Sequence, residues 1–248
     1  MKVSLITATY NSAKTIADTL RSVQQQTYPH IEHIIVDGLS TDETLNIVQT
    51  FPHIHEVVSE KDKGIYDAMN KGIELASGEV IGIINSDDFY IHASVIEKII
   101  AVFNDENCDA VYADLIYVDT HDVNKIKRKW VSGKVKSNSF LYGWMPPHPT
   151  FFVRKSVYEN FGKFNLNLGS AADYELMLRF IHKHKIKIGY LPEVILKMRT
   201  GGISNQSVQN RVSANQNDRL AWKVNNMKPY WFTLYLKPLR KVSQFFIH

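Results

Sequence analysis

The sharpest chemistry in the sequence sits in four consecutive polar residues, Asn85-Ser86-Asp87-Asp88, which follow an abruptly ended apolar run over residues 80–84. Adjacent carboxylates repel unless a cation or a hydrogen-bond donor neutralises them. A hard divalent ion such as Mg2+ or Mn2+ takes one or two carboxylates and completes its shell with phosphate oxygens. Bound there, it would neutralise charge on a departing phosphate. The same two acids also suit the start of the next helix, and the residues alone leave both readings open. Two further polar groups stand in comparable places. Thr7-Ala8-Thr9-Tyr10-Asn11 lies at the end of an apolar run beginning at Val3, and Asp37-Gly38 closes another over residues 33–36. In open α/β sheets ligands bind outside the carboxyl ends of the strands, so three such clusters in register mark one rim.

The elements that must position these groups read as alternating strands and helices. Residues 3–8, 33–36, 56–59 and 80–84 are short apolar strands. Between them, Ser12 is predicted to cap a helix whose Ile16, Leu20 and Val23 share a face. Ser40-Thr41-Asp42-Glu43 is predicted to open a second helix as a capping box, with Leu45 and Val48 inside. Ile65, Met69, Ile73 and Ala76 mark a third helix, with Gly78 expected just past its end as a capping glycine. Val95, Ile96, Ile99, Ile100 and Phe103 form a fourth stripe. Such alternation over residues 1–105 predicts a parallel sheet with crossover helices.

Beyond it, residues 110–113 extend the sheet, 115–118 and 126–130 suggest a hairpin, and 151–153 another strand followed by a helix to Phe161. Leu176, Met177, Phe180 and Ile181 give one more helical face, residues 187–191 a late strand, and the chain after Gly201-Gly202 a polar, helical stretch.

A chain of 248 residues suits one α/β domain with a small C-terminal extension. It buries roughly 70–75% of its unfolded surface and needs no covalent staples. Cys108 is the single cysteine, which fits a reducing compartment. Neither a signal peptide nor a run long enough to span a bilayer is read from the sequence, so a cytoplasmic protein is expected. The net charge of +4 is unevenly distributed: residues 181–248 carry twelve Lys/Arg against Glu193 and Asp218 alone, which leaves the first 180 residues acidic. A basic tail suits polyanions, an anionic membrane surface or simply a solvated face.

Taken in order, these segments resemble the family 2 inverting glycosyltransferases. The resemblance rests on T-A-T-Y-N at residues 7–11, V-D-G-x-S-x-D at 36–42, D-K-G-I-Y-D-A-M-N-K-G at 62–72, A-S-G-E at 76–79 and N-S-D-D at 85–88. It covers residues 1–205 and implies a Rossmann-like GT-A fold with a mostly parallel sheet. A nucleotide-sugar-binding half would span residues 1–105, an acceptor half 106–205, and a C-terminal helical, aromatic and basic extension 206–248.

By that resemblance Thr7, Tyr10 and Asp37 hold the base of a nucleotide-diphosphate sugar, a UDP-sugar, and Asp62 and Lys63 touch the donor. The family's D-x-D motif maps onto Asn85-Ser86-Asp87, which makes Asp87 the ligand of Mg2+ or Mn2+ and replaces the first acid by Asn85. Ala171-Ala172-Asp173-Tyr174-Glu175 matches the family's acidic pair at a helix start; Asp173 stands at the general-base position, with Ala172 where the family usually has Glu. The rigid segment Trp144-Met145-Pro146-Pro147-His148-Pro149-Thr150 resembles the acceptor side, with His148 near the acceptor. Residues 198–204 resemble a closing loop whose Arg199 clamps the diphosphate. The Q-x-x-R-W motif of processive synthases is absent, so one sugar per encounter is expected, onto a glycan or lipid-linked glycan in surface-polysaccharide assembly.

Two other classes remain beside this reading. A nucleotidyltransferase would carry a Gly-rich, basic phosphate loop after its first strand, and residues 7–11 hold neither Gly nor Lys. A non-catalytic sugar-binding relative is favoured by Asn85 and Ala172 and opposed by Asp87 and Asp173. No nucleic-acid partner is expected. In the tail, Tyr230, Trp231, Phe232, Tyr235, Phe245 and Phe246 alternate with Lys228, Lys237, Arg240 and Lys241. Either these aromatics lie in the headgroup zone of an anionic membrane or they pack back onto the domain. Pro229 and Pro238 are expected to limit any helix between them to about two turns.

Overall fold

The computed structural model describes residues 1–201, 208–242 and 244, with backbone alone for 208–215, 241 and 242. Its first half is a run of crossovers: β1 (Val3–Thr9), α1 (Ile16–Gln24), β2 (Ile31–Asp37), α2 (Thr44–Gln49), β3 (Ile54–Ser59), α3 (Ile65–Leu75) and β4 (Val80–Ile83). The order continues through β5 (Phe89–Tyr90), α4 (Val95–Glu106), β6 (Ala110–Val118), β7 (Ile126–Trp130), β8 (Phe152–Arg154) and α5 (Lys155–Phe161). It closes with α6 (Ala172–Met177), β9 (Ile188–Arg199), α7 (Val208–Val224) and α8 (Thr233–Val242).

These strands form one nine-stranded sheet in the order β3-β2-β1-β4-β8-β6-β9-β5, with β7 hairpinned onto β6. The first four are mutually parallel, and β8 then runs antiparallel between β4 and β6. β6 and β9 are again parallel, and the two-residue β5 closes antiparallel on β9. Strands β1 and β4 are buried along their whole length, as expected where helices cover both faces of a parallel sheet. On one face Ile6, Ala8, Val36, Ile81 and Ile83 meet Met69 and Ile73 of α3 and, further on, Tyr174 and Trp222. On the other, Val3, Leu5 and Val80 meet Ile96, Ile99 and Phe103 of α4. Ile16, Leu20, Ile35 and Val48 make a smaller cluster under α1 and α2.

The expected helices and strands of the first half are present, but their boundaries rest on different residues. α1 begins at Ile16 without a side-chain cap, and the Ser12 hydroxyl points instead to Ser86 Oγ at 2.8 Å. At α2 the capping oxygen belongs to Asp42, whose carboxylate accepts from the Thr44 N–H at 3.0 Å; Ser40 turns back to Asp37. Gly78 is no helix cap. A Cβ there would lie 2.7 Å from Ser4 N and 2.9 Å from Lys2 O, so glycine is required by the close approach of two backbones.

Two elements are longer than expected. The sequence predicts a late strand over residues 187–191, and Pro192 and Glu193 follow it. The strand continues to Arg199 since those two residues fall where the register slips between Ala113 and Asp114, a bulge that tolerates the missing proline N–H. Likewise α8 runs through Pro238, held by Thr233 and Leu234 buried beneath it.

The C-terminal segment packs back onto the second half of the chain. Trp222 is buried and donates from Nε1 to Tyr174 Oη at 2.9 Å, Asn225 donates to Glu175 at 2.8 Å, and Lys237 pairs with Asp218 at 2.7 Å while lying over the Tyr174 ring. Phe245 and Phe246 lie outside the described residues.

Candidate active site

The ends of β1, β2 and β4 meet on one rim, as their polar clusters foretell. Asp37 ends β2 fully buried, its carboxylate accepting from the Ser40 N–H at 3.0 Å, from Ser59 Oγ at 2.7 Å and from Ser40 Oγ. Asn11 adopts a left-handed backbone (φ 48°) and accepts from the Thr41 N–H at 2.9 Å, which ties the β1 loop to the β2 loop. Tyr10 projects from this junction with 62% of its surface exposed. Its ring edge and the Asp62 carboxylate close over Gly38, where any Cβ would fall on Asp62 Oδ2. Asp62 in turn accepts from the Gly64 N–H at 2.8 Å. Lys63 is exposed, and with Lys61, Asp62, Asp67 and Lys71 it lines an open depression at the start of α3.

Thr7 lies beneath this rim rather than on it. It is fully buried, with its hydroxyl 3.0 Å from His33 Nε2, and His33 Nδ1 is 3.1 Å from His53 Nε2. Burial, and secondarily the neighbouring His53, holds the His33 pKa down at about 3, so the chain of polar atoms under the rim is uncharged. Thr9, two residues on, is the threonine of β1 whose buried hydroxyl has no partner.

The turn after β4 is anchored from several sides. Asn85 Nδ2 donates to Asp88 Oδ2 at 2.8 Å, and Thr19 Oγ1 donates to the Asp88 carbonyl at 2.7 Å. Asp88 is completely buried and its Oδ1 has no partner. Desolvation and then the charge of Asp87 raise its pKa well above the usual carboxylate range. Asp87 is half-buried, and desolvation raises its pKa also, with Arg199 pulling the other way.

Arg199 ends β9 instead of riding on a loop. Its guanidinium is buried, donates to the Asp87 carbonyl at 2.6 Å and pairs with Asp18. The expected closing loop beyond residue 201 lies outside the described residues. Asp87 and Asp88 offer hard oxygen atoms, one of them buried and unpartnered, from two carboxylates; that donor set fits a divalent ion that takes its remaining ligands from phosphate and water. Among the described residues no group of three His, Cys, Asp or Glu forms a complete protein cage.

The second group of residues comes from the other half of the chain. Asp173 stands in the first turn of α6, with Oδ1 accepting from the Tyr174 N–H at 2.7 Å. The Tyr66 hydroxyl, from α3, faces the same carboxylate; burial and then the Asp173 charge raise its pKa well above its usual value, so it keeps its proton. His148 is half-buried beside them. Desolvation lowers its pKa and Asp173 offsets part of that.

The Phe164 ring lies 5.2 Å from Tyr66 and 5.5 Å from His148, and Asn70 grips the Phe164 backbone with two hydrogen bonds of 2.9 Å. Glu175 is turned away, locked to Arg179 at 2.8 Å and Asn225 at 2.8 Å.

Tyr66 and Asn70 were not singled out from the sequence. Their spacing on a helix is a visible signal, since residues four apart share a face, but the apolar stripe Ile65, Met69, Ile73 drew the reading to the core side.

A curled, mostly parallel sheet with an acidic turn at its carboxyl rim defines the class as a Rossmann-like GT-A transferase fold. Residues 4–164 match the model described as "Glycosyl transferase family 2", and the chain belongs to that family. It is 30% identical over 211 residues to a "PGL/p-HBAD biosynthesis glycosyltransferase" of Mycobacterium bovis, covering 83% of this chain and 80% of the relative. Among solved structures it is similar to Staphylococcus aureus TarS 1–349, with a TM-score of 0.73, 22% identity and coverage of 98% of this chain and 72% of that one. It is also similar to the mannosyltransferase PcManGT of Pyrobaculum calidifontis, solved with GDP-Man and Mn2+, at a TM-score of 0.70 and 20% identity over 95% of this chain and 68% of that one. Both structures share the fold.

Among the described residues no helix is long and apolar enough to cross a membrane.

Proposed function

We propose that the protein transfers one sugar per encounter from a nucleoside diphosphate sugar, a UDP-sugar, to a hydroxyl of a glycan or lipid-linked glycan, with inversion at the anomeric carbon. The observation that carries this reading is the acidic turn Asn85–Asp88 at the carboxyl end of β4, on the rim it shares with Asp37 and Tyr10, in a chain of the glycosyl transferase family 2.

On this reading residues 1–105 bind the donor and 106–205 the acceptor, and within the extension 206–248 the described Trp222, Asn225 and Thr233 buttress the acceptor half. Tyr10 lies against the base, Asp37 and the Asp62-Lys63 segment hold the nucleotide, and Thr7 supports the rim from below through His33. Asn85 steadies Asp88 by its amide. Asp87 would hold Mg2+ or Mn2+, which when bound offsets the charge growing on the diphosphate. That TarS has been solved with UDP-GlcNAc and PcManGT with GDP-Man and Mn2+ supports a nucleotide-sugar donor and a metal. Arg199, committed to the Asp87 carbonyl and Asp18, acts as a positioning residue for the acidic turn.

Asp173 is the general base. It takes the proton of the acceptor hydroxyl while that oxygen bonds to the anomeric carbon and the carbon–oxygen bond to the diphosphate breaks on the opposite face. Tyr66 orients the carboxylate by its hydroxyl, and neutral His148 borders the acceptor. The lone buried thiol of Cys108 supports a reducing, cytosolic setting.

Incubation with a panel of nucleotide sugars, Mn2+ and simple glycoside acceptors tests the proposal. Product of inverted anomeric configuration, seen by NMR, is expected; transfer with retention would reject the inverting assignment.

A further inference from the structure

The C-terminal segment does two things at once: it packs one face on the domain and holds the other outward. The inward face is the buried set Thr233, Leu234 and the Lys237 and Asp218 pair. The outward one is aromatic. Trp231 is 83% exposed, Leu239 60%, Tyr235 56%, Tyr142 49% and Tyr230 47%. Residues 231, 235 and 239 are four apart, so Trp231, just ahead of α8, begins a row that the helix continues along one side. Tyr142 joins from the turn Ser139–Tyr142, its ring 6.2 Å from Tyr230 and 6.0 Å from Phe232. Rings fixed in this way cannot fold inward, because the inward positions are already filled.

We propose that this face is the surface by which the protein docks on an anionic lipid bilayer. Charge argues for that occupant. Residues 219–248 contain six Lys/Arg and no acid; Lys237 is turned inward to Asp218, and Lys223 and Lys228 are exposed. Trp and Tyr rings with an apolar body and a polar edge suit the headgroup zone, and basic residues around them suit anionic lipid. A ten-residue helix with one proline lies in the interface; it is too short to span it.

The docked face belongs to the acceptor half, since the Ser139–Tyr142 turn under α8 leads directly to the segment that ends at His148. A lipid-borne acceptor would thus be presented on the side of the molecule that carries Asp173. This last consequence rests on the transferase reading; the docking itself does not.

Flotation of the full chain with phosphatidylcholine vesicles, with and without phosphatidylglycerol, tests the surface. The protein is expected to float with the anionic vesicles and not with phosphatidylcholine alone, and to detach as salt rises from about 0.05 to 0.5 M. The triple variant W231A/Y235A/L239A alters only exposed side chains, so its unfolding transition and donor hydrolysis should match wild type, while its partitioning falls at least about tenfold.

K223E/K228E should weaken binding to anionic vesicles and leave the fold intact. Wild type that stays unbound, or a triple variant that floats as well as wild type, overturns the proposal. A dimer in light scattering that the triple variant dissolves, without vesicle binding, would assign the face to a second copy and overturn it equally. Donor hydrolysis is read separately, so failure of the transferase reading and failure of docking are distinguishable.

Discussion

The two carboxylate groups of the site are built in opposite ways. On the proposed donor side, Asp37 and Asp88 are buried and each is held in part by a residue three positions away, Ser40 for one and Asn85 for the other, with Ser59 of β3 adding a bond to Asp37. On the proposed acceptor side, Asp173 faces a tyrosine from α3 and a histidine from a proline-rich segment. The α6 helix that bears it is itself braced by Trp222 and Asn225 from the C-terminal segment. The turns at the strand ends combine local bonds with ties from distant elements, such as Thr19 to the Asp88 carbonyl and Arg199 to the Asp87 carbonyl, whereas the surroundings of Asp173 come almost wholly from long-range packing.

Substitutions on either side sharpen this contrast. The largest loss is expected for Asp87→Asn, which should lower transfer by about 10³-fold, the scale of lost charge stabilisation at a leaving group. It should also remove the Mn2+ dependence of donor binding in calorimetry. Donor affinity in wild type that is indifferent to Mn2+ would refute the role. Next, Asp173→Asn should leave donor affinity unchanged and slow transfer by at least about 10²-fold. Near-normal turnover would move the base to another residue and dissolve the contrast between the halves.

Tyr66→Phe removes the hydroxyl that faces Asp173 and should reduce kcat about tenfold, with the donor KM unmoved. If the KM for donor rises instead, Tyr66 belongs to the donor side.

The smallest effect concerns the floor of the donor rim. His33 has a pKa of about 3 against 6.5 for a free histidine, so between these values the unfolded chain binds the extra proton. Stability should therefore be fully present above pH 6.5 and decline as pH falls toward 3. His33→Gln should flatten that decline in thermal melts recorded across this range; an unchanged slope would assign the acid sensitivity elsewhere.

The donor half was largely legible because its signals are short-range. Apolar runs of strand length, amphipathic stripes, and turns rich in Asp, Asn, Ser and Gly each report on a handful of neighbours, and the family's motifs fall on those turns. What was misread there concerns side-chain choice within a turn: Asp42 instead of Ser40 at the helix start, and Gly78 as a site of close backbone approach instead of a cap. In the second half the periodicity broke at Pro192 and Pro238, and both breaks are absorbed by tertiary context, a register slip in one case and a buried inner face in the other. Arg199 was expected on a loop by the family resemblance of residues 198–204, and the extra length of β9 carries it under the Asp87 carbonyl.

The sequence by itself determined the class of fold, the parallel first half and the location of the acidic turn, since propensity, turn chemistry and burial pattern act between residues close along the chain. Only the tertiary structure decided that β8 inserts antiparallel between β4 and β6 and that Tyr66 reaches Asp173. It also decided that Thr7 lies beneath the rim and which aromatic rings of the tail turn inward. Those outcomes depend on surfaces that meet across long stretches of chain, where each residue's partner is set by the packing of whole elements.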